Sequence, residues 1–92
     1  MEFQFDRRKS VSNFRKQGID FRMAQQLWDD PDLLEIVARS VAEPRWLVMG
    51  KIEGKHWSAI VTYRNDTVRL ISVRRSRRSE VLKYEKNYNR RV

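Results

Sequence analysis

Near the end of this 92-residue chain a β-rich run, Val68-Arg69-Leu70-Ile71-Ser72-Val73-Arg74-Arg75, passes directly into Ser76-Arg77-Arg78-Ser79-Glu80-Val81-Leu82-Lys83-Tyr84-Glu85. Guanidinium groups are thereby gathered where a strand stops and a helix starts. The planar fork of arginine stays ionised and can pair with two phosphate oxygens at once, so this junction is where a phosphate is expected.

The charge distribution supports that emphasis. Residues 69–92 hold nine Lys/Arg against two Glu, residues 1–18 hold five basic against two acidic, and residues 19–68 hold six basic against eight acidic, within a net charge of +8. A fold that joins the two ends would present a basic face on a near-neutral body and concentrate a polyanion there. The alternative for the tail alone is a solvated helical surface. With no cysteine and one histidine, neither a disulfide framework nor a cysteine- or histidine-rich metal site is expected, and no cofactor is implied. The acidic turn 29–32 lacks the spacing of a carboxylate metal site. No signal-peptide stretch and no membrane-length apolar run is present, which makes the cytoplasm the expected compartment.

The elements that must position these groups fit one domain, 1–92, with one core and a tail at 89–92 expected to be disordered. Phe3 and Phe5 alternate with polar neighbours, predicting a short strand over 1–5. Asp6 is placed to cap a helix over 7–16 that Gly18 ends, with Val11 and Phe14 on its buried stripe and Arg8, Ser12 and Arg15 displayed. Asp20 opens a second helix whose apolar face is Phe21, Ala24, Leu27 and Trp28, stopped by the turn at Pro31. A strand is predicted over 33–37 and a loop over 39–44. Strands over 46–52, 55–64 and 67–74 are joined by Glu53-Gly54 and Asn65-Asp66, connections so short that they demand an antiparallel meander. Regular alternation along the last strand separates Arg69 from Arg74. Ser76 is a candidate cap for a last, basic helix that docks through Val81, Leu82, Tyr84 and Tyr88. The class is α+β: a mostly antiparallel sheet, made of an N-terminal strand and a four-strand run, packed by two N-terminal helices and a basic C-terminal helix.

In that order and spacing, Phe3-Gln4-Phe5-Asp6, Lys16-Gln17-Gly18-Ile19-Asp20-Phe21, Leu27-Trp28-Asp29-Asp30-Pro31, Arg45-Trp46, Ile52-Glu53-Gly54, Tyr63-Arg64 and Arg69-Leu70-Ile71-Ser72-Val73-Arg74-Arg75, followed by Arg78, Glu80 and Tyr84, resemble the BrnT toxins of type II toxin–antitoxin modules. The resemblance implies a small RelE-like fold and an endoribonuclease that arrests translation and growth. It also implies neutralisation by a BrnA-like ribbon-helix-helix antitoxin in a 2:2 heterotetramer, with operator DNA contacted through the antitoxin. This chain departs from the family by having Gln17 where a histidine is usual in Lys-His-Gly. It also lacks a second family histidine in the loop 38–44.

Metal-independent RNA cleavage needs an aligned 2′-hydroxyl, a base, an acid and cations for the charge that develops on phosphorus. Arg74 and Arg78 are the leading candidates for the last task, supported by Lys16 and Arg69. Glu80 and Tyr84, at i and i+4, are candidate acid–base groups, the alternative being that Glu80 caps the helix and Tyr84 packs on the sheet. His56 is the sole imidazole, with a hairpin position as the alternative. Arg69, Arg75, Arg77, Lys83 and Arg15 are candidate RNA contacts, and Trp46 is a candidate stacking platform. The competing reading is a noncatalytic nucleic-acid-binding or antitoxin-assembly module in which the same arginines only hold phosphates.

Overall fold

The structure, a computed structural model, describes residues 1–39 and 42–91; the predicted loop over 39–44 therefore lies partly outside the described residues. The elements are β1 (Glu2–Gln4), α1 (Arg7–Gln17), α2 (Phe21–Ala24) with a following 3-10 turn (Gln25–Asp29), β2 (Leu34–Arg39), β3 (Arg45–Ile52), β4 (Lys55–Arg64), β5 (Thr67–Arg75) and α3 (Arg78–Arg91). The five strands form one sheet in the order β1-β5-β4-β3-β2, antiparallel except for β1 against β5. No helix among the described residues is long and apolar enough to cross a membrane.

The ends of α1 are those predicted. Asp6 Oδ1 accepts from the N–H groups of Arg8 (2.8 Å) and Lys9 (3.3 Å), and Gly18 at φ 78° donates its N–H to Phe14 O. Its buried stripe is not. Val11 and Phe14 are 52 % and 51 % exposed, and the inward face is polar. Ser10 Oγ accepts from Phe21 N at 2.9 Å. Asn13 donates from Nδ2 to Ile19 O (2.8 Å) and Val73 O (2.9 Å) and accepts Val73 N–H at Oδ1 (3.2 Å). The reason lies in β1, which pairs with β5 only at Thr67 to Arg69. Beyond it the edge of β5 is open, and the Asn13 amide satisfies the backbone of Val73 as a neighbouring strand would.

The second predicted helix is one turn of α followed by a 3-10 turn. Phe21, Ala24 and Leu27 recur at every third residue, a period that suits 3-10 winding, and all three are buried. The 3-10 turn crosses β3 at Gly50, where an added Cβ would lie 3.1 Å from side-chain atoms of Leu27 and Leu33. The core consists of these residues with Ile19, Val48, Ile52, Trp57, Ala59, Val61, Val68, Leu70 and Val73. The β3–β4 turn has Glu53 and Gly54 both in the left-handed region, at φ 50° and 79°, as tight hairpins require.

One irregularity decides which arginines share a face. Ile60 pairs with Ser72 but Val61 pairs with Leu70, so Ile71 is an extra residue, a β-bulge in β5. Side-chain parity inverts across it. Val68, Leu70 and Val73, which strict alternation separates, all turn into the core, while Arg69, Ser72 and Arg74 sit opposite Thr62, Ile60 and Ser58 on the other face. The expected separation of Arg69 from Arg74 is thus overturned.

That other face is covered at one end by α3. Of its expected docking stripe, Tyr84 is buried and Val81 half-buried, whereas Leu82 and Tyr88 are exposed. Ser76 is not the cap: its Oγ lies 2.7 Å from Ser58 Oγ, and the Glu80 carboxylate instead accepts the Arg77 N–H at 2.8 Å. The helix continues through residues 89–91, where a disordered tail was expected; residue 92 lies outside the described residues.

Candidate nucleic-acid interface

The chain closes its two basic ends around β5. Lys16, Gln17, Lys9, Ser12, Ser72 and Arg74 line a groove of about 300 Å³ between α1 and β5. It adjoins, through Lys9 and Ile71, an open depression of about 650 Å³ over the uncovered half of the sheet, lined by Arg45, Thr62, Arg64 and Arg69. Glu43 is the acid at its rim, 3.5 Å from Arg64 Nη2. Among the described residues, six cations therefore border one continuous surface, on the face to which the bulge assigns both Arg69 and Arg74.

Arg74 is held rather than free. Its Nη1 and Nη2 donate to Glu80 Oε1 and Oε2 at 2.8 and 2.9 Å, and Nη1 also donates to Arg75 O at 3.3 Å. The edge formed by Nε–H and the second Nη2–H has no partner among the described residues, so one fork remains for a phosphate. Glu80 accepts further from Ser58 Oγ (3.0 Å) and Arg77 N–H. The Arg74 guanidinium, aided by those donors, outweighs burial and holds the Glu80 carboxyl at about 2. Glu80 thus caps the Arg77 N–H and holds the Arg74 guanidinium, the contacts that its alternative reading calls for, and the same bonds favour its ionised form.

A second constellation lies farther along α3. His56 Nε2 is 2.8 Å from Glu85 Oε1, which also lies 3.4 Å from Lys51 Nζ. The Tyr84 ring meets the imidazole edge-on at 5.5 Å, and its hydroxyl donates to Asp30 Oδ2 at 2.7 Å. Burial, and next the bond to Asp30, push the Tyr84 phenol above its ordinary range, so it stays protonated. Asp30 also accepts the Lys51 and Asp32 backbone N–H groups, at 2.8 Å each, which assigns the acidic turn a structural task.

The remaining candidates disperse. Trp46 packs edge-on to Tyr63 at the core face. Arg75 stacks over Trp57 at 5.4 Å and donates from Nε to His56 O. Arg77, Arg78 and Lys83 are exposed on α3 or just before it, and Arg15 stands on α1 beside Val11, away from Arg74. Lys9, Arg45 and Arg64 were not singled out from the sequence: Arg45 and Arg64 reach this face by the ordinary alternation of β3 and β4, and Lys9 by the crossing of α1 beside β5. The Glu85–His56 pair left a faint signal: Glu80 and Glu85 are the two acids in the strongly basic stretch 69–92, and both are engaged.

No curated protein matches the sequence. The family model for BrnT, the ribonuclease toxin of type II toxin–antitoxin systems, matches residues 5–80. That span includes α1, the whole sheet after β1, Arg74, Arg78 and Glu80, and stops before Lys83, Tyr84 and Glu85. The position at which the resemblance calls for a histidine, Gln17, lies in the groove beside Lys16 and Arg74. With more than four fifths of its length and the strand bearing the clustered cations inside the match, the chain belongs to the BrnT family of ribonuclease toxins.

Proposed function

We propose that this toxin is a metal-independent endoribonuclease whose scissile phosphate sits in the groove between α1 and β5. The observation that carries the reading is the convergence of Lys16 and Arg74 on one groove, with Arg69 brought to the same face by the bulge at Ile71. Arg74 offers its Nε edge to the phosphate while Glu80 fixes the guanidinium plane. Lys16 neutralises the second oxygen, and Lys9, Arg69, Arg64 and Arg45 track the flanking phosphates. In the reaction the 2′-oxygen attacks phosphorus, the P–O5′ bond breaks, the 2′-proton passes to a base and the departing 5′-oxygen takes one up. The products are a 2′,3′-cyclic phosphate and a 5′-hydroxyl end.

Gln17 carries no titratable proton, so the proton carrier must lie elsewhere. His56 fits best: it projects from the same face as Ser58, two residues along β4, and Ser58 is directly opposite Arg74. Glu85 binds its Nε2, which orients the ring and, among the described residues, leaves Nδ1 without a hydrogen-bond partner. Arg78 and Arg77, at the start of α3, extend the cationic border. A BrnA-like antitoxin with a ribbon-helix-helix region would neutralise the enzyme in a 2:2 assembly that contacts operator DNA through the antitoxin, in the cytoplasm.

Cleavage of a long single-stranded RNA by antitoxin-free protein, in a metal chelator and with Arg74→Ala alongside, tests the proposal. Chelator-resistant cutting that disappears in the variant supports it. RNA binding without cutting, with and without ribosomes, favours the noncatalytic alternative.

A further inference from the structure

The flank of α1 that turns away from the groove is unexplained by RNA chemistry. Val11 and Phe14 are half exposed on it, and with the half-buried Phe5 they line a depression of about 480 Å³ bordered by Arg7, Arg15 and Arg22. Asp20 also borders it, its carboxylate capping α2 by accepting Met23 N–H at 2.7 Å. Lys9 and Lys16 occupy the opposite flank of the same helix, in the groove. An apolar centre three residues long within an arginine rim is the complement of an amphipathic helix with acidic borders. A second copy of this chain is the wrong occupant: apposing two such flanks would face arginines with arginines on bodies of net charge +8.

We infer that an acidic, amphipathic helical segment of the antitoxin docks on the Val11–Phe14 flank of α1, apart from the residues that hold RNA. The inference rests on the toxin reading above for the identity of the partner. It differs from silencing by direct occlusion of the cations. The antitoxin grips α1 from the side opposite Lys16, so antitoxin binding and RNA binding are separable by mutation.

The test is titration calorimetry of the purified chain with its cognate antitoxin, at low and moderate salt, for wild type, Phe14→Glu, Val11→Glu, Arg7→Glu/Arg22→Glu and Lys16→Ala. Phe14→Glu is expected to weaken binding by about 100-fold or more, as loss of a central aromatic anchor does. The arginine double variant should weaken it and flatten its salt dependence, and Lys16→Ala should leave it unchanged. RNA cleavage by Phe14→Glu should persist and escape inhibition. Should Phe14→Glu fail to fold, Val11→Glu and the arginine double variant carry the same expectation. Wild-type affinity in these three variants, a larger loss in Lys16→Ala, or no uptake of antitoxin by wild type would each overturn the inference. If antitoxin binding is lost as expected but wild type cuts no RNA, the ribonuclease proposal fails and the docking surface stands.

Discussion

Replacing Glu80 by Gln keeps the shape of the side chain and removes the charge that fixes Arg74. A carboxyl that ordinarily titrates at 4.5 is held here at about 2, which favours the ionised form by about 3 kcal/mol. The Glu80 side chain is 7 % exposed, so solvent screening removes little of this, whereas Arg74 at 29 % recovers some hydration when its partner goes. The expected loss for Glu80→Gln at pH 7 is therefore about 2 to 3 kcal/mol, a fall of roughly 10 to 20 °C in melting temperature for a domain this size. Because the folded-state value is depressed, this contribution is complete above the unfolded value of 4.5 and is lost as pH falls through the folded value of about 2. Urea titrations from pH 7 down to pH 2 should show the wild type descending toward the variant and the two curves meeting near the acid end. A difference below about 1 kcal/mol at pH 7, or one that persists undiminished at pH 2, would refute the reasoning.

Asn13→Ala should cost about 2 to 3 kcal/mol in chemical denaturation, since Ile19 O, Val73 O and Val73 N–H all lose their partner; a loss under about 0.5 kcal/mol would deny the amide its place on the β5 edge. Tyr84→Phe removes the 2.7 Å bond to Asp30 and should cost about 1 to 2 kcal/mol while RNA cleavage continues; abolished cleavage at full stability would return Tyr84 to the chemistry. Deleting Ile71 removes the extra residue and leaves Val68, Leu70 and Val73 at alternate positions, so all three still face the core and circular dichroism should show a cooperative unfolding transition; loss of that transition would contradict the bulge. Lys16→Ala/Arg69→Ala should reduce the magnitude of the logarithmic salt slope of RNA binding by about 1.4, two phosphate contacts at about 0.7 each on a single strand; an unchanged slope would exclude both residues from the RNA path.

Much of the fold was legible because it is written in local chemistry. Asp6 and Gly18 bound a helix, Glu53-Gly54 makes a two-residue hairpin turn, and the alternation in β4 sets its faces. The misreadings share a cause in tertiary structure. Val11 and Phe14 have the spacing of a core stripe, but the open edge of β5 recruits the polar side of α1 through Ser10 and Asn13 instead. Residues 21–28 have a helical pattern, yet the close crossing over Gly50 suits a 3-10 turn. For the candidate site, the arginine cluster at the β5–α3 junction was visible from composition. The union of Arg69 with Arg74 was not, because a bulge at an ordinary isoleucine has no sequence signature. The pairing of Glu80 with Arg74, six residues apart across a strand-to-helix turn, likewise depends on the angle at which α3 leaves the sheet.

The measurement closest to the central claim is single-turnover RNA cleavage, together with RNA affinity, for Arg74→Lys against wild type, with melting temperature confirming the fold. Lysine keeps the charge and a point contact to Glu80 but cannot present a planar fork to two phosphate oxygens as charge develops. The account predicts a loss of cleavage of about 100-fold or more with affinity within about 3-fold of wild type. Equal losses of cleavage and affinity would contradict it, because Arg74 would then attract RNA without acting on the transition state.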